Sequence, residues 1–373
     1  MTNHKTLGLI FANMHDSSVP ELTAERSMAS MPFAGRYRLI DFYLSSLVDA
    51  DATKVGVVTK SNYHSLMDHL GSGRSWDLSR KRDGISILPP YSYSPNSKSV
   101  YHGRIEALYN ILEYIRNSPV QYVAMMDCDY VCSLDLDDVI DRHVESEADV
   151  TMVCCDMSAT EEISKNCVTI QRDADGRITD LMQNRYEKGG LLSMNVIVIG
   201  RDLLIDLIEN AQSRMQVFFE RDVLLSNILT LNIRCYEHQG YVRRIYNLNS
   251  YYEASMSLLE KENLAALFGK RTIYTKVRDE APVRYGLNSN VKNSLVADGC
   301  VVEGVVENSI LFRGTHVAPG AVVRNSIVMQ GSFIKTGASL DCVITDKNVT
   351  VGEGRKLTGT ESYPMYIKKK STV

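Results

Sequence analysis

At 373 residues the chain has room for two or three domains of roughly 150 residues, each able to bury its own core. Apolar residues at 44% and charged residues at 23% exclude whole-chain disorder and fibrous composition, and no run of about 18 apolar residues offers a bilayer span. Forty-one Lys plus Arg against 45 Asp plus Glu leave a net charge of −4, without the basic excess that a nucleic-acid partner would call for.

The first two thirds alternate short β-rich runs with amphipathic helical patterns, the pattern of an α/β sheet built from parallel crossover units. Strands are expected at 7–12, 54–59, 122–126, 150–155, 195–199 and 233–237, with helices over 105–115, 136–144 and 203–208. Ligands in such sheets bind beyond the carboxyl ends of strands, which directs attention to the loops after Ala12, Met126 and Glu237. Eight cysteines are scattered without a CxxC pair, so buried free thiols are expected, Cys154 and Cys155 included, and a zinc site is not. The first residues lack the layout of a signal peptide, and a cytoplasmic location is the expectation.

Beyond about residue 285 the sequence repeats. The 17 residues from Val305 align without gaps to the 17 from Val322, with eight identities, and echoes flank the pair at 291–295 and 340–355. Short apolar runs with glycine at the corners, recurring at nearly three hexapeptides, predict a parallel β-helix of roughly four coils. Lys368-Lys369-Lys370 reads as a solvated terminus. The resulting division is an α/β domain over 1–255, a connecting segment over 256–284, a β-helix over 285–360 and a basic tail over 361–373.

Pro32-Phe-Ala-Gly-Arg-Tyr-Arg-Leu-Ile-Asp41-Phe-Tyr-Leu-Ser45-Ser46 closely resembles the PFGGKYRLIDFxLSN segment of ADP-glucose pyrophosphorylases, the glucose-1-phosphate adenylyltransferases. The coil segments from Val291 and Val306 resemble the C-terminal domain of the same family, so the likeness runs through nearly the whole chain. It implies a GT-A-like, Rossmann-like nucleotidyltransferase domain, a left-handed β-helix, and a role in glycogen synthesis, where ATP and glucose 1-phosphate give ADP-glucose and pyrophosphate.

Such a transfer needs donors around the triphosphate, a cation on the sugar phosphate and carboxylates for a metal. The family's glycine-rich GGxGTRL turn is replaced here by Ala12-Asn-Met-His-Asp16-Ser-Ser18, with the glycines gone, Ser18 at the arginine position and Asp16 placing negative charge where a triphosphate would sit. Asp129, in the Asp127-Cys-Asp129 run, matches the first metal aspartate, whereas Arg244 stands at the second. Asn184 occupies the place of the sugar-phosphate lysine, with Arg185 beside it. Tyr101, Gly103 and Ser193 match pocket positions, and Met28 replaces a lysine of the family's effector-binding stretch.

The loss at Ser18, Asn184 and Arg244 together resembles the catalytically deficient GlgD-type chains of this family. That likeness implies no cofactor of the chain's own, with Mg2+ held by a catalytic GlgC-type partner in a hetero-oligomer, expected to be a tetramer. Three alternatives stand beside it. One is an active transferase rewired through Asp127 and Arg244, another a hexapeptide acyltransferase using His316, and the last a sugar-phosphate sensor. Asp137-Asp138 and Asp222 read as helix-start residues.

Overall fold

Nine strands form one sheet in the computed structural model, which describes residues 4–90, 103–156, 167–185 and 190–373. In chain order they are β1 (Thr6–Phe11), β2 (Lys54–Val58), β3 (Gly84–Leu88), β4 (Tyr122–Asp127), β5 (Val150–Cys155), β6 (Val168–Arg172), β7 (Ile178–Gln183), β8 (Leu191–Gly200) and β9 (Ile233–Glu237). The order across the sheet is β7-β6-β8-β4-β1-β2-β3, with β5 between β8 and β9. β1 and β5 are buried along their whole length and β4 at every residue but Tyr122, as their apolar runs require.

The sheet is mixed, not a run of parallel units. β1 to β4 pair in parallel, but β8 runs antiparallel to both β4 and β5, and β6 and β7 form an antiparallel pair. The expected helix over 105–115 is two, Arg104–Asn110 and Leu112–Arg116, parted at Ile111. Among the described residues no helix is long and apolar enough to cross a membrane.

The cysteine expectation needs correcting at one pair. Cys154 and Cys235 are joined by a disulfide across the parallel β5/β9 ladder, a contact that their sequence separation of 81 conceals. The other six cysteines are free and buried.

The C-terminal repeat folds as three parallel sheets of five strands each, so five rungs stack where four were expected. The rungs use the register read from the sequence, Val305 on Val322, Ile310 on Ile327 and His316 on Phe333. Each Asn-Ser pair turns a corner. Asn293, Asn308 and Asn325 take left-handed backbone (φ 42–46°) and pass side-chain hydrogen bonds from rung to rung, while Ser294, Ser309 and Ser326 each accept a backbone N–H from the next.

The segment after residue 360 is not a free tail. Met365–Ile367 is the last strand of one face, paired with Val343–Thr345, and Val373 N–H donates to Thr350 O (3.0 Å). Residues 371–373 run along Thr350–Val351 and cover that face of the final rung, where backbone groups would otherwise stand unpaired. Lys369 reaches Glu25 (2.9 Å) and the Tyr366 hydroxyl donates to Glu21 O (2.8 Å), so the C-terminus also fastens the β-helix to the sheet region.

The Pro32–Asp41 motif explains that junction. Pro32–Phe33 pairs with Tyr37–Arg38 in a small hairpin that turns through Gly35 (φ 78°), close against Ala297 and Leu311 of the β-helix. Phe33, Phe42 and Tyr251 share one core with Ile310, Phe312, Ile327 and Met329. Buried Arg26 donates to both oxygens of buried Asp346 at 2.7 Å.

Candidate functional site

The carboxyl ends of β1 and β4 and the amino-terminal half of the antiparallel β8 converge on a buried polar cluster. β4 ends at Asp127 and the chain continues through Cys128 to Asp129; both aspartates are buried. In β8 the ladder to β5 slips between Ser193 and Val196, and Asn195 takes left-handed backbone (φ 55°). The Ser193 hydroxyl accepts the Asn195 N–H (3.2 Å), which fixes the bulge and aims the Asn195 amide at Asp129, 3.1 Å from each oxygen. Ser193, expected as a remnant of a substrate pocket, therefore serves the backbone here.

Arg244 closes the cluster from the other side. Val242–Arg244 pairs antiparallel with Tyr130–Cys132, and the Ile245 N–H donates to Asp129 O (2.7 Å), so the register delivers buried Arg244 to Asp129, Nε to Oδ2 at 3.3 Å.

His15 and Arg104 were not singled out from the sequence. His15 Nε2 lies 2.8 Å from Asp127 Oδ2 and 3.7 Å from Asp129 Oδ1. Arg104, wholly buried in the first turn of its helix, donates to Asp127 Oδ2 (2.8 Å) and pairs with Glu220 (2.9 Å). Gly103 makes this possible: a Cβ there would stand 2.3 Å from the carbonyl oxygen of Val217. Burial pushes the Asp127 pKa up, yet Arg104 and His15 outweigh it and hold the carboxyl below its usual range. Burial likewise disfavours a charged His15, and Asp129 and Asp127 more than compensate, raising its pKa. A signal for Arg104 existed, since it directly follows Gly103, which matches a pocket position of the resembling family.

Asp16 is bonded within its own loop. Its carboxylate turns inward, accepting from the Met28 N–H (2.7 Å) and from Asn13 Nδ2 (2.6 Å), and burial raises its pKa to about 6. Ser18 closes a short turn by donating its N–H to His15 O (3.0 Å). Within Ala12–Ser18 the N–H groups of Ala12, Asp16 and Ser18 donate within the chain, to the carbonyls of Val58, Asn13 and His15. Met28 is buried beneath this loop. Asn184 stands at the exposed rim, past the end of β7, with left-handed backbone (φ 57°) and its N–H on Cys167 O. Tyr101 lies outside the described residues.

The ligand atoms of His15, Asp127 and Asp129 lie within 4.8 Å of one another, close enough by distance for a cation. Occupancy argues against one. Both Asp129 oxygens and Asp127 Oδ2 already accept hydrogen bonds, and Asp127 Oδ1 is the one oxygen of the pair without a partner among the described residues. Magnesium takes about six oxygens in strict octahedral order. At an effective dielectric of about 20, a guanidinium at the Arg244 distance gains about 5 kcal/mol from Asp129, and a divalent ion in its vicinity would be repelled twice as strongly. The residues present do not fit the family's magnesium.

Remaining candidates have structural roles. His316 pairs with Glu303 (3.0 Å) and meets the Phe333 ring edge-on. Asp138 N–H donates to Asp135 at a helix start, and Asp222 accepts the N–H groups of Val217 and Phe218, which with Arg221 holds its pKa at about 2.

Comparison with known proteins places these features in a lineage. A nucleotidyl transferase family model matches residues 18–188, and a GlmU-like C-terminal hexapeptide model matches residues 281–362. The chain is 38% identical over 377 residues to the glycogen biosynthesis protein GlgD of Bacillus subtilis (strain 168), covering 99% of this chain and 97% of that one. It is 38% identical over 324 residues to the glycogen biosynthesis protein GlgD of Geobacillus stearothermophilus, covering 86% and 83%. With the glucose-1-phosphate adenylyltransferase of the same organism it shares 32% identity over 324 residues, covering 85% and 83%.

Proposed function

The chain belongs to the GlgD family of glycogen biosynthesis proteins, and we propose that it serves that synthesis without catalysing adenylyl transfer itself, by associating with a catalytic chain and shifting it toward a more active state. The observation that carries this reading is the buried Asp129–Arg244 pair, in which a fixed cation stands where the chemistry needs a second carboxylate. The loop after β1 supports it, since it lacks the glycines that let backbone N–H groups close on a triphosphate, and Asp16 and Ser18 donate their N–H groups within the loop. Rewiring through Asp127 has less support, because Arg104 and His15 already hold that carboxylate.

The partner proposed is a GlgC-type chain in a hetero-oligomer, with the magnesium at the partner's site and the assembly in the cytoplasm. Exposure at the first rung of the β-helix favours assembly: Tyr285 and Leu287 are open to solvent there, whereas one face of the last rung is covered by residues 371–373. The decisive experiment measures ADP-glucose formation by the purified chain, by a purified catalytic chain, and by the two mixed. The chain alone is expected to give none above background, and the mixture a higher kcat or an altered effector response together with co-elution on size exclusion. Robust turnover by the chain alone would sink the proposal.

A further inference from the structure

We infer that Arg104 and Arg244 are built-in counter-cations, which supply from within the fold the positive charge that a divalent metal would bring to Asp127 and Asp129, and that Arg244 is the residue that keeps such a metal out. The inference deepens the functional reading above and rests on it for the identity of the site, but it concerns cation binding and not turnover.

Three carboxylates, those of Asp127, Asp129 and Glu220, share this pocket with two guanidiniums, all but Glu220 essentially buried. Unpaired, the aspartates would carry the full cost of a desolvated charge. Each instead has its own arginine. Arg104 bridges Asp127 and Glu220 at 2.8 and 2.9 Å, and Arg244 meets Asp129 at 3.3 Å. The two arginines arrive from unrelated elements, one opening the Arg104–Asn110 helix and the other ending the Val242–Arg244 strand, so neither is an accident of local sequence.

Their surroundings suit a permanent cation. The Arg104 guanidinium lies 5.2 Å from the Phe11 ring centroid, and the Arg244 guanidinium 5.8 Å from that of Tyr130 and 6.0 Å from that of Tyr246. Aromatic rings therefore flank both guanidiniums. Asn195, positioned by the β8 bulge, adds two neutral donors to Asp129, and His15 spans the two aspartates. The two arginines differ in consequence. Arg104 is shared between Asp127 and Glu220, whereas Arg244 meets Asp129 from the position where the resembling family carries its second metal aspartate.

The test uses the full chain with manganese as probe, reading Mn2+ uptake by the loss of the free-ion paramagnetic resonance signal and Tm in MnCl2 against EDTA. The wild-type chain is expected to show no saturable uptake at this site and the same Tm in both buffers. Arg244→Asp is expected to gain one saturable site per chain, at least about tenfold tighter than any wild-type uptake, with a Tm that rises in manganese. Stoichiometric uptake by the wild-type chain that Asp129→Asn abolishes would overturn the inference, as would a folded Arg244→Asp that takes up no more manganese than wild type.

A second pair guards against misfolding of that variant. Arg244→Leu is expected to lower Tm by roughly 5–10 °C, because it strands a buried carboxylate, and Arg244→Leu with Asp129→Asn to recover at least about half of that loss. A double variant no more stable than the single one overturns the counter-cation role. ADP-glucose formation in the same preparations bears on the functional reading alone, so the two failures are distinguishable.

Discussion

The loop after β1 and the β-helix have diverged in opposite ways from the resemblance that both carry. In the β-helix, positions that repeat in the sequence repeat in the structure, and each Asn-Ser corner does in one rung what it does in the next. In the loop, the residues aligned to a phosphate cradle have taken up new internal partners, Asp16 with Met28 and Ser18 with His15. A stacked coil demands the same residue types at every level because each rung rests on its neighbour. A ligand site demands specific residues only while the ligand is used, and once it is not, burial favours groups that satisfy one another.

Three changes would break or sharpen this comparison. The largest effect is expected where the two regions are fastened together: Arg26→Leu leaves Asp346 buried without its guanidinium and should cost about 3–5 kcal/mol in urea unfolding. Replacing both residues by leucine should recover most of that loss. Recovery would assign the pair to the fastening of the regions, and none would show that Arg26 is held for another reason.

A smaller effect, about 1–3 kcal/mol, is expected from Gly103→Ala, whose methyl must push the Arg104 helix away from Val217. Because Arg104 leans on Asp127, the same variant should disturb the cluster, visible as shifted His15 resonances in NMR. A Gly103→Ala protein with wild-type stability and unshifted His15 would remove the glycine from the account of the site.

The third effect is a pH dependence that originates in the sheet region. His143 is buried against β5, its Nδ1 2.8 Å from the Thr151 hydroxyl, and burial lowers its pKa to about 4. The unfolded chain takes up a proton near pH 6.5 and the folded chain only near 4. This group's contribution is therefore intact above 6.5, declines as the pH falls through that window, and declines no further below 4. His143→Gln should flatten the urea midpoint between pH 6.5 and 4, and an unchanged slope would assign the acid sensitivity to other groups.

Much of the fold was legible in the sequence because periodic burial leaves a periodic record. β5 and β9 occupy the spans expected of them, and the Val305/Val322 alignment is the physical register of the rungs. The direction of β8 was not legible, since an apolar run buried on both faces reads the same in either direction. Nor was the final-rung strand at Met365–Ile367, where the following lysines masked a short strand whose partner comes from the preceding rung.

At the site, sequence alone determined which ionisable residues stand where the family's chemistry would need others, Arg244 above all. Only the tertiary structure decided what they do instead. It turned Asp16 inward, brought His15 and Arg104 to Asp127 from positions 112 and 23 residues away, and set Arg244 on Asp129 across 115. The reason is physical: a buried charge is tolerated according to the groups within a few ångströms of it, and which groups those are depends on how strands distant in the chain are laid side by side.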